Sequence, residues 1–281
     1  MSGHEVLDTS DAGQALAATV EYLAGDPVGH NVVLTIMAER AAHPEPGRYW
    51  WVTQHGRLEG VALQSPLDNS ASITPMSVAA LDALIAALAP EVPDLPGIIG
   101  EATTVSAFAG RWTEHTGVGA APVEGQRLYR LASLRPPMGV GGRLRQATLD
   151  ELDLLLAWCR GLSEDTGLPA PTADGHDLIC RRVAQGEIWL WEDGGQPASM
   201  ARLSAPAAGA VRVGFVYTPP QFRRRGYAGA SVAALSARAT ADGARECLLY
   251  TQLSNPTSNG IYRRIGYQAV HEVLSYRFQP R

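Results

Sequence analysis

The chain has 281 residues, a formal net charge of −5, and 46% hydrophobic against 18% charged residues. That is an ordinary globular composition with enough apolar residues for a full core, and its acidic balance excludes a general nucleic-acid or membrane-surface binder. All 23 basic residues are arginine, so the run of three at Arg223, Arg224 and Arg225 is a local basic feature on an acidic protein. The opening stretch, MSGHEVLDTSDAGQ, has neither a basic start nor an apolar core, which predicts no signal peptide. No apolar run approaches the ~18 residues that a membrane span needs, and the expectation is a cytoplasmic protein. Cys159, Cys180 and Cys247 form no CxxC or Cys/His ligand pattern. They are expected to be reduced thiols, and no metal is expected.

The first predicted element pair is a hairpin in YWWVTQHGRLEGVALQSP, Tyr49 to Pro66: an apolar run, a glycine-containing turn and a second apolar run. After SITPM the chain passes straight into a helical segment, SVAALDALIAAL, and then into a helix holding FAGRWTEHTG. RPPMGVGG, Arg135 to Gly142, leaves little room for regular structure and divides the chain almost in half. The expected organisation is a domain at 1–135, a linker at 136–142 and a domain at 143–281.

The second half begins with a strand, RLRQAT, followed by a helix that starts at Thr148 or Asp150 and ends near Gly161 or Gly167. A second helix covers DLICRRVAQG, with His176 in a turn before it. Three strands follow in EIWLWED, ASMARLSA and AVRVGFVYT. A helix covers AGASVAALSARATADG, stopping at Gly243. An apolar strand ECLLYTQL, a short helix SNGIYRRIG and a strand EVLSYRF complete an α+β order with a mixed sheet. WLWEDGGQPASMARLSAP, Trp189 to Pro206, repeats the hairpin of the first half. Trp51 matches Trp191, Leu63 matches Leu203 and Pro66 matches Pro206. A repeat of this length predicts tandem copies of one domain.

Three adjacent like charges raise the cost of folding unless an anion lies among them. Here they precede Gly226 at a helix start, where unpaired backbone N–H groups and the helix dipole favour a negative group. Strand, arginines, glycine and helix together predict a diphosphate site.

RRRGYA, Arg223 to Ala228, fits the R/Q-x-x-G-x-G/A signature of the GNAT superfamily of acyl-CoA N-acyltransferases, and NPTSNGIYRRIGY, Asn255 to Tyr267, resembles a later segment of the same family. The resemblance covers residues 142 to 281 and implies two tandem GNAT-like domains, each a mixed, mostly antiparallel sheet flanked by helices. It implies that the backbone of Val216, Tyr217 and Thr218 pairs with the pantetheine arm of acetyl-CoA, the acyl donor. It further implies that the amides of Arg224, Arg225, Gly226, Tyr227 and Ala228 cradle the pyrophosphate. Arg223 or Arg225 would meet phosphate oxygens, Asn255 would help hold the pantetheine, and Tyr262 would protonate the departing thiolate.

The acceptor would be an amine, on a small molecule or on a protein, the former favoured. A non-catalytic acyl-CoA-binding or regulatory module is the alternative. The strand before the arginines carries no carboxylate, so no general base is assigned among Glu164, Asp165, Glu192 and Asp193. Measured from their prolines to their later helices, the first half is shorter where the phosphate loop should be, and its later helix has Phe108 and Trp112 but no tyrosine. It reads as a degenerate copy without a CoA site. Tyr49, Trp50 and Trp51 are expected in its core or lining an acceptor cleft.

Overall fold

Both hairpins turn on two residues of positive φ. His55 (50°) and Gly56 (74°) join β2 (Arg48–Gln54) to β3 (Arg57–Gln64), and Gly194 (56°) and Gly195 (78°) join β8 (Ile188–Asp193) to β9 (Gln196–Leu203). Two left-handed residues give the turn whose twist matches the strands on either side. Each hairpin then carries a bulge at the same place. Val52 faces Gly60 and Thr53 faces Leu58, while Trp191 faces Ser199 and Glu192 faces Pro197. Turn and bulge therefore superpose Val52 on Trp191, one residue away from the Trp51–Trp191 match expected from sequence. Tryptophans crowd both strands, so a slip of one still aligned apolar residues.

The computed structural model describes residues 3–167 and 173–279; the outer ends of both expected domains lie outside the described residues. The chain forms two compact units. The first comprises residues 1–128, 251–254 and 270–281, and the second 129–250 and 255–269.

The first unit runs β1 (His4–Thr9), α1 (Ala12–Gly25), α2 (Asn31–Ala42), β2, β3, β4 (Ala71–Ile73), α3 (Val78–Glu91), β5 (Gly97–Glu101) and α4 (Ala102–Thr116). Strands β1 to β4 pair antiparallel in order, and β4 runs parallel to β5. The other edge of β5 is filled from far along the chain: Val273–Arg277 of β12 (Tyr267–Phe278) pairs antiparallel with Gly97–Glu101. The core packs Trp50, Leu81, Leu84, Leu88, Phe108 and Trp112, with Phe278 of β12 stacked 5.5 Å from Trp112. Tyr49 and Trp50 are fully buried.

β6 (Ala120–Leu131) leads into the second unit. Its order is β7 (Arg143–Gln146), a 3-10 turn at Leu149–Glu151, α5 (Leu152–Thr166), α6 (Ala173–Ala184), β8, β9, β10 (Ala210–Tyr217), α7 (Tyr227–Ala241), β11 (Glu246–Gln252), α8 (Pro256–Arg264) and the start of β12. This is the element order read from the sequence, and the architecture is α+β. Strands β7 to β10 pair antiparallel, and β10 pairs parallel with β11. Thr148 and Glu151 close a capping box at the start of α5, and Gly167 ends that helix in the left-handed conformation. The expected turn at His176 is instead part of α6, which begins at Ala173. Gly175, His176 and Asp177 each cost at most about 1 kcal/mol in a helix, so the packed apolar residues that follow carry the helix back through them. Among the described residues, no helix is long and apolar enough to cross a membrane.

Candidate acyl-donor site

β10 is held on one edge by β9 and on the other by β11, but the second ladder is short. It runs from Ala210–Glu246 to Val213–Leu249 and stops, although β11 continues to Gln252. The cause lies on the opposite edge. After Gly214 faces Arg202, the next partners are Tyr217 and Met200, so Phe215 and Val216 stand against the single residue Ala201. This bulge, with Phe215 at φ 51°, turns the strand. Gly214–Tyr217 thus lies outside the parallel ladder. Ser199, fully buried, fixes the bent end. Its hydroxyl donates to the Tyr217 carbonyl at 2.9 Å and accepts from the Thr218 hydroxyl at 2.9 Å.

The chain leaves β10 through residues 218–226. Pro220–Phe222 makes a 3-10 turn, and Arg224 (φ 64°) and Gly226 (φ 83°) take left-handed conformations. Gly226 is required twice over: its φ suits glycine, and a Cβ there would lie 2.9 Å from Val140. It starts α7 with no side-chain cap, and the first helical bond is Ala230 N–H to the Gly226 carbonyl at 3.0 Å. The N–H groups of Tyr227, Ala228 and Gly229 therefore have no acceptor within the helix. The three arginines are exposed around this start, and Arg225 lies over the Phe222 ring at 5.9 Å. The Tyr227 side chain is buried, and its hydroxyl donates to Asp193 at 2.5 Å, which raises the phenol above its ordinary pKa. Only its backbone remains for a ligand. Arg223 is bound to protein on three sides: Nε donates to the Thr218 carbonyl at 2.9 Å, Nη2 meets the Asp165 carboxylate, and the guanidinium covers the Tyr217 ring.

α8 brings the later segment. Asn255 caps it, accepting from Ser258 N–H at 2.9 Å. Tyr262 is buried between Tyr129 and Tyr267, with ring centroids 6.4 and 6.3 Å away. Burial pushes its pKa up to about 12 against a smaller opposing contribution from the Ser258 hydroxyl. Val216 packs against the core cluster that contains Tyr262. A Cβ on Gly229, in the first turn of α7, would lie 3.4 Å from Ile261, the neighbour of Tyr262. Val216 of the bulge and Tyr262 of α8 thus share one core cluster, and the first turn of α7 lies against α8. Asn259 was not singled out from sequence. It is buried, accepts from the Tyr129 hydroxyl at 2.8 Å and donates to the Asn255 carbonyl at 2.7 Å, locking the first turn of α8.

Three of the four carboxylates considered as bases are engaged elsewhere, and the fourth, Glu164, is exposed on α5. Glu192 is held by Arg145 and Arg143, which lower its pKa. Asp193 accepts from Tyr227 and Asp165 pairs with Arg223. His176 is exposed on α6. Among the described residues, no group of three or more His, Cys, Asp or Glu is placed to hold a metal.

The first unit has the corresponding parallel pair, β4 and β5, but a different exit. Residues 74–77 alone lead to α3, and none is basic. Ser77 caps α3 by accepting from Ala80 N–H at 3.2 Å, and its hydroxyl donates to Glu59 at 3.1 Å. A capped helix start beside a carboxylate repels an anion.

The sequence model described as "Acetyltransferase (GNAT) family" matches residues 154–267. Solved structures resemble the chain over nearly its whole length. An acetyltransferase from the GNAT family of Colwellia psychrerythraea has a TM-score of 0.61 at 9% identity, covering 98% of this chain and 100% of the other. A GCN5-related N-acetyltransferase from Sphaerobacter thermophilus has 0.64 at 17%, covering 99% and 96%. A tandem GNAT protein from the clavulanic acid biosynthesis pathway has 0.57 at 11%, covering 97% of each. At these identities the likeness is one of fold. No curated protein matches the sequence significantly.

Proposed function

We propose that this chain, whose second half carries a GNAT-family domain and whose fold is that of tandem GNAT proteins, transfers an acetyl group from acetyl-CoA to an amine. The observation that carries this reading is the early end of the β10–β11 ladder beside a bulge that leads into an uncapped, arginine-rimmed helix start. An extended pantetheine arm has backbone partners along Gly214–Tyr217, and the diphosphate that follows it meets the amides of α7 with Arg224 and Arg225 nearby. The acyl carbonyl then lies near the bulge, where a backbone N–H of Val216 serves the oxyanion.

The chemistry is aminolysis of a thioester. A neutral amine attacks the carbonyl carbon, the C–N bond forms, and the C–S bond breaks as the thiolate leaves. The protein contributes proximity and oriented donors. Tyr262, neutral through the physiological range, donates its proton to sulfur. With Asp165, Glu192 and Asp193 engaged, the amine loses its proton to water, and water returns one to the Tyr262 phenolate. The acceptor is a small amine, and the compartment is the cytoplasm.

Titration of the protein with acetyl-CoA in a calorimeter, followed by thiol release with a panel of small amines and peptides, tests the reading. Binding with release supports it; tight binding with no transfer to any amine favours a CoA-sensing module; no binding rejects both. One CoA per chain is expected, because only the second unit has the open helix start, and two equivalent sites would reverse the account of the first unit. Arg225→Ala removes a charge-assisted contact and is expected to weaken CoA by roughly 1.5–3 kcal/mol in the same titration. An unchanged affinity would make that arginine a solvated rim.

A further inference from the structure

We propose that Arg223 is a positioning residue, a strut through which the loop 218–226 holds the last turn of α5, leaving Arg224 and Arg225 for phosphate. In its functional consequence the proposal rests on the acetyl-CoA reading above. Three contacts fix the arginine: the Thr218 carbonyl, the Asp165 carboxylate and the Tyr217 ring. Two of them come from different edges of one guanidinium, which lysine's single ammonium cannot reproduce.

The partner surface is a stripe of α5. Trp158, Gly161 and Asp165 stand at i, i+3 and i+7, one face of the helix. The Tyr217 ring lies 6.3 Å from Trp158, and a Cβ on Gly161 would overlap the Tyr217 hydroxyl. Helix, tyrosine and arginine are therefore stacked, with Asp165 closing the far end. The place of Asp165 supports the same conclusion. A carboxylate in the last turn of a helix opposes the helix dipole, so by itself it weakens α5. Paired with Arg223, it ties that turn to the loop.

The consequence is coupling. A diphosphate that orders residues 218–226 also steadies the end of α5, so donor binding shapes a second element before any acceptor arrives.

Hydrogen exchange followed by mass spectrometry on the full chain tests this. Without ligand, Asp165→Asn is expected to speed exchange in the last turn of α5 by up to about fivefold, the ceiling for an exposed ion pair. Loss of an unfavourable dipole interaction alone would slow it, so the sign separates the two cases. Asp165→Glu, which keeps the carboxylate, restores slow exchange. With saturating CoA, the wild type is expected to show added protection both in the loop and in α5. Asp165→Asn shows it in the loop alone, with its CoA dissociation constant within about twofold of wild type. Unchanged or slower exchange at α5 in Asp165→Asn overturns the strut. So does an Arg223→Gln protein that binds CoA tenfold or more weakly, which would assign that arginine to phosphate. A wild type that does not bind CoA rejects the acetyl-CoA reading, while the ligand-free comparison still decides the strut.

Discussion

Tyr262→Phe is expected to lower kcat by about 10²–10⁴-fold, the range for losing a positioned general acid, while CoA affinity stays near that of the wild type. The substitution removes one hydroxyl and leaves the ring between Tyr129 and Tyr267. The fold therefore keeps its packing. Burial pushes the phenol up to about 12, so the proton is present at any working pH. In the proposed mechanism it is needed only as the C–S bond breaks and charge develops on sulfur. The loss then falls on kcat and kcat/KM together and spares donor binding. Steady-state kinetics with the amine found by screening, alongside CoA calorimetry, gives the answer. A variant as fast as the wild type would make Tyr262 a packing residue.

Gly266→Ala is expected to cost more than about 3 kcal/mol of stability, the sum of a strained backbone conformation and a steric overlap. Gly266 sits at φ 105°, and its carbonyl accepts from the N–H groups of Ala132 and Ser133 at 3.1 and 3.4 Å. A Cβ would overlap the Ser133 carbonyl oxygen, with the carbonyl carbon 2.8 Å away. Both are backbone atoms and cannot rotate aside. Gly243→Ala is the control. Its φ is 93°, but a Cβ there meets nothing within 4 Å, so only the conformational cost of about 1–2 kcal/mol remains. Urea unfolding of the two variants, at equal m-values, separates the terms. Equal losses would show that the close approach at residue 266 relaxes freely.

Local chemistry made much of this legible in sequence. The hairpins, the uncapped helix after Arg225 and the order of elements follow from turn glycines, apolar runs and helix formers a few residues apart. The contacts that complete the site do not. Tyr129 reaches Asn259 over 130 residues, Asp193 reaches Tyr227 over 34, and Asp165 reaches Arg223 over 58. Nothing near Asn259 distinguishes a buried lock from a polar helix residue, and only the folded chain supplies the tyrosine. The arginine triplet shows the same limit. Three like charges announced an anion, and one of them is already held by a carboxylate of its own chain. The bulge at Phe215 was likewise silent, since GFVY reads as uninterrupted strand until Ala201 is seen opposite two residues.

The borrowed strand of the first unit has a consequence for synthesis. A ribosome that has delivered residues 1–128 has delivered β5 with one edge bare. Val273–Arg277, which cover that edge, emerge only after residues 129–250 of the second unit. The nascent first unit must wait with exposed backbone donors and acceptors, at an elongation rate of about 5–20 residues per second. Until then that edge is open to pairing with any free strand, so the first unit closes only after most of the second has been made.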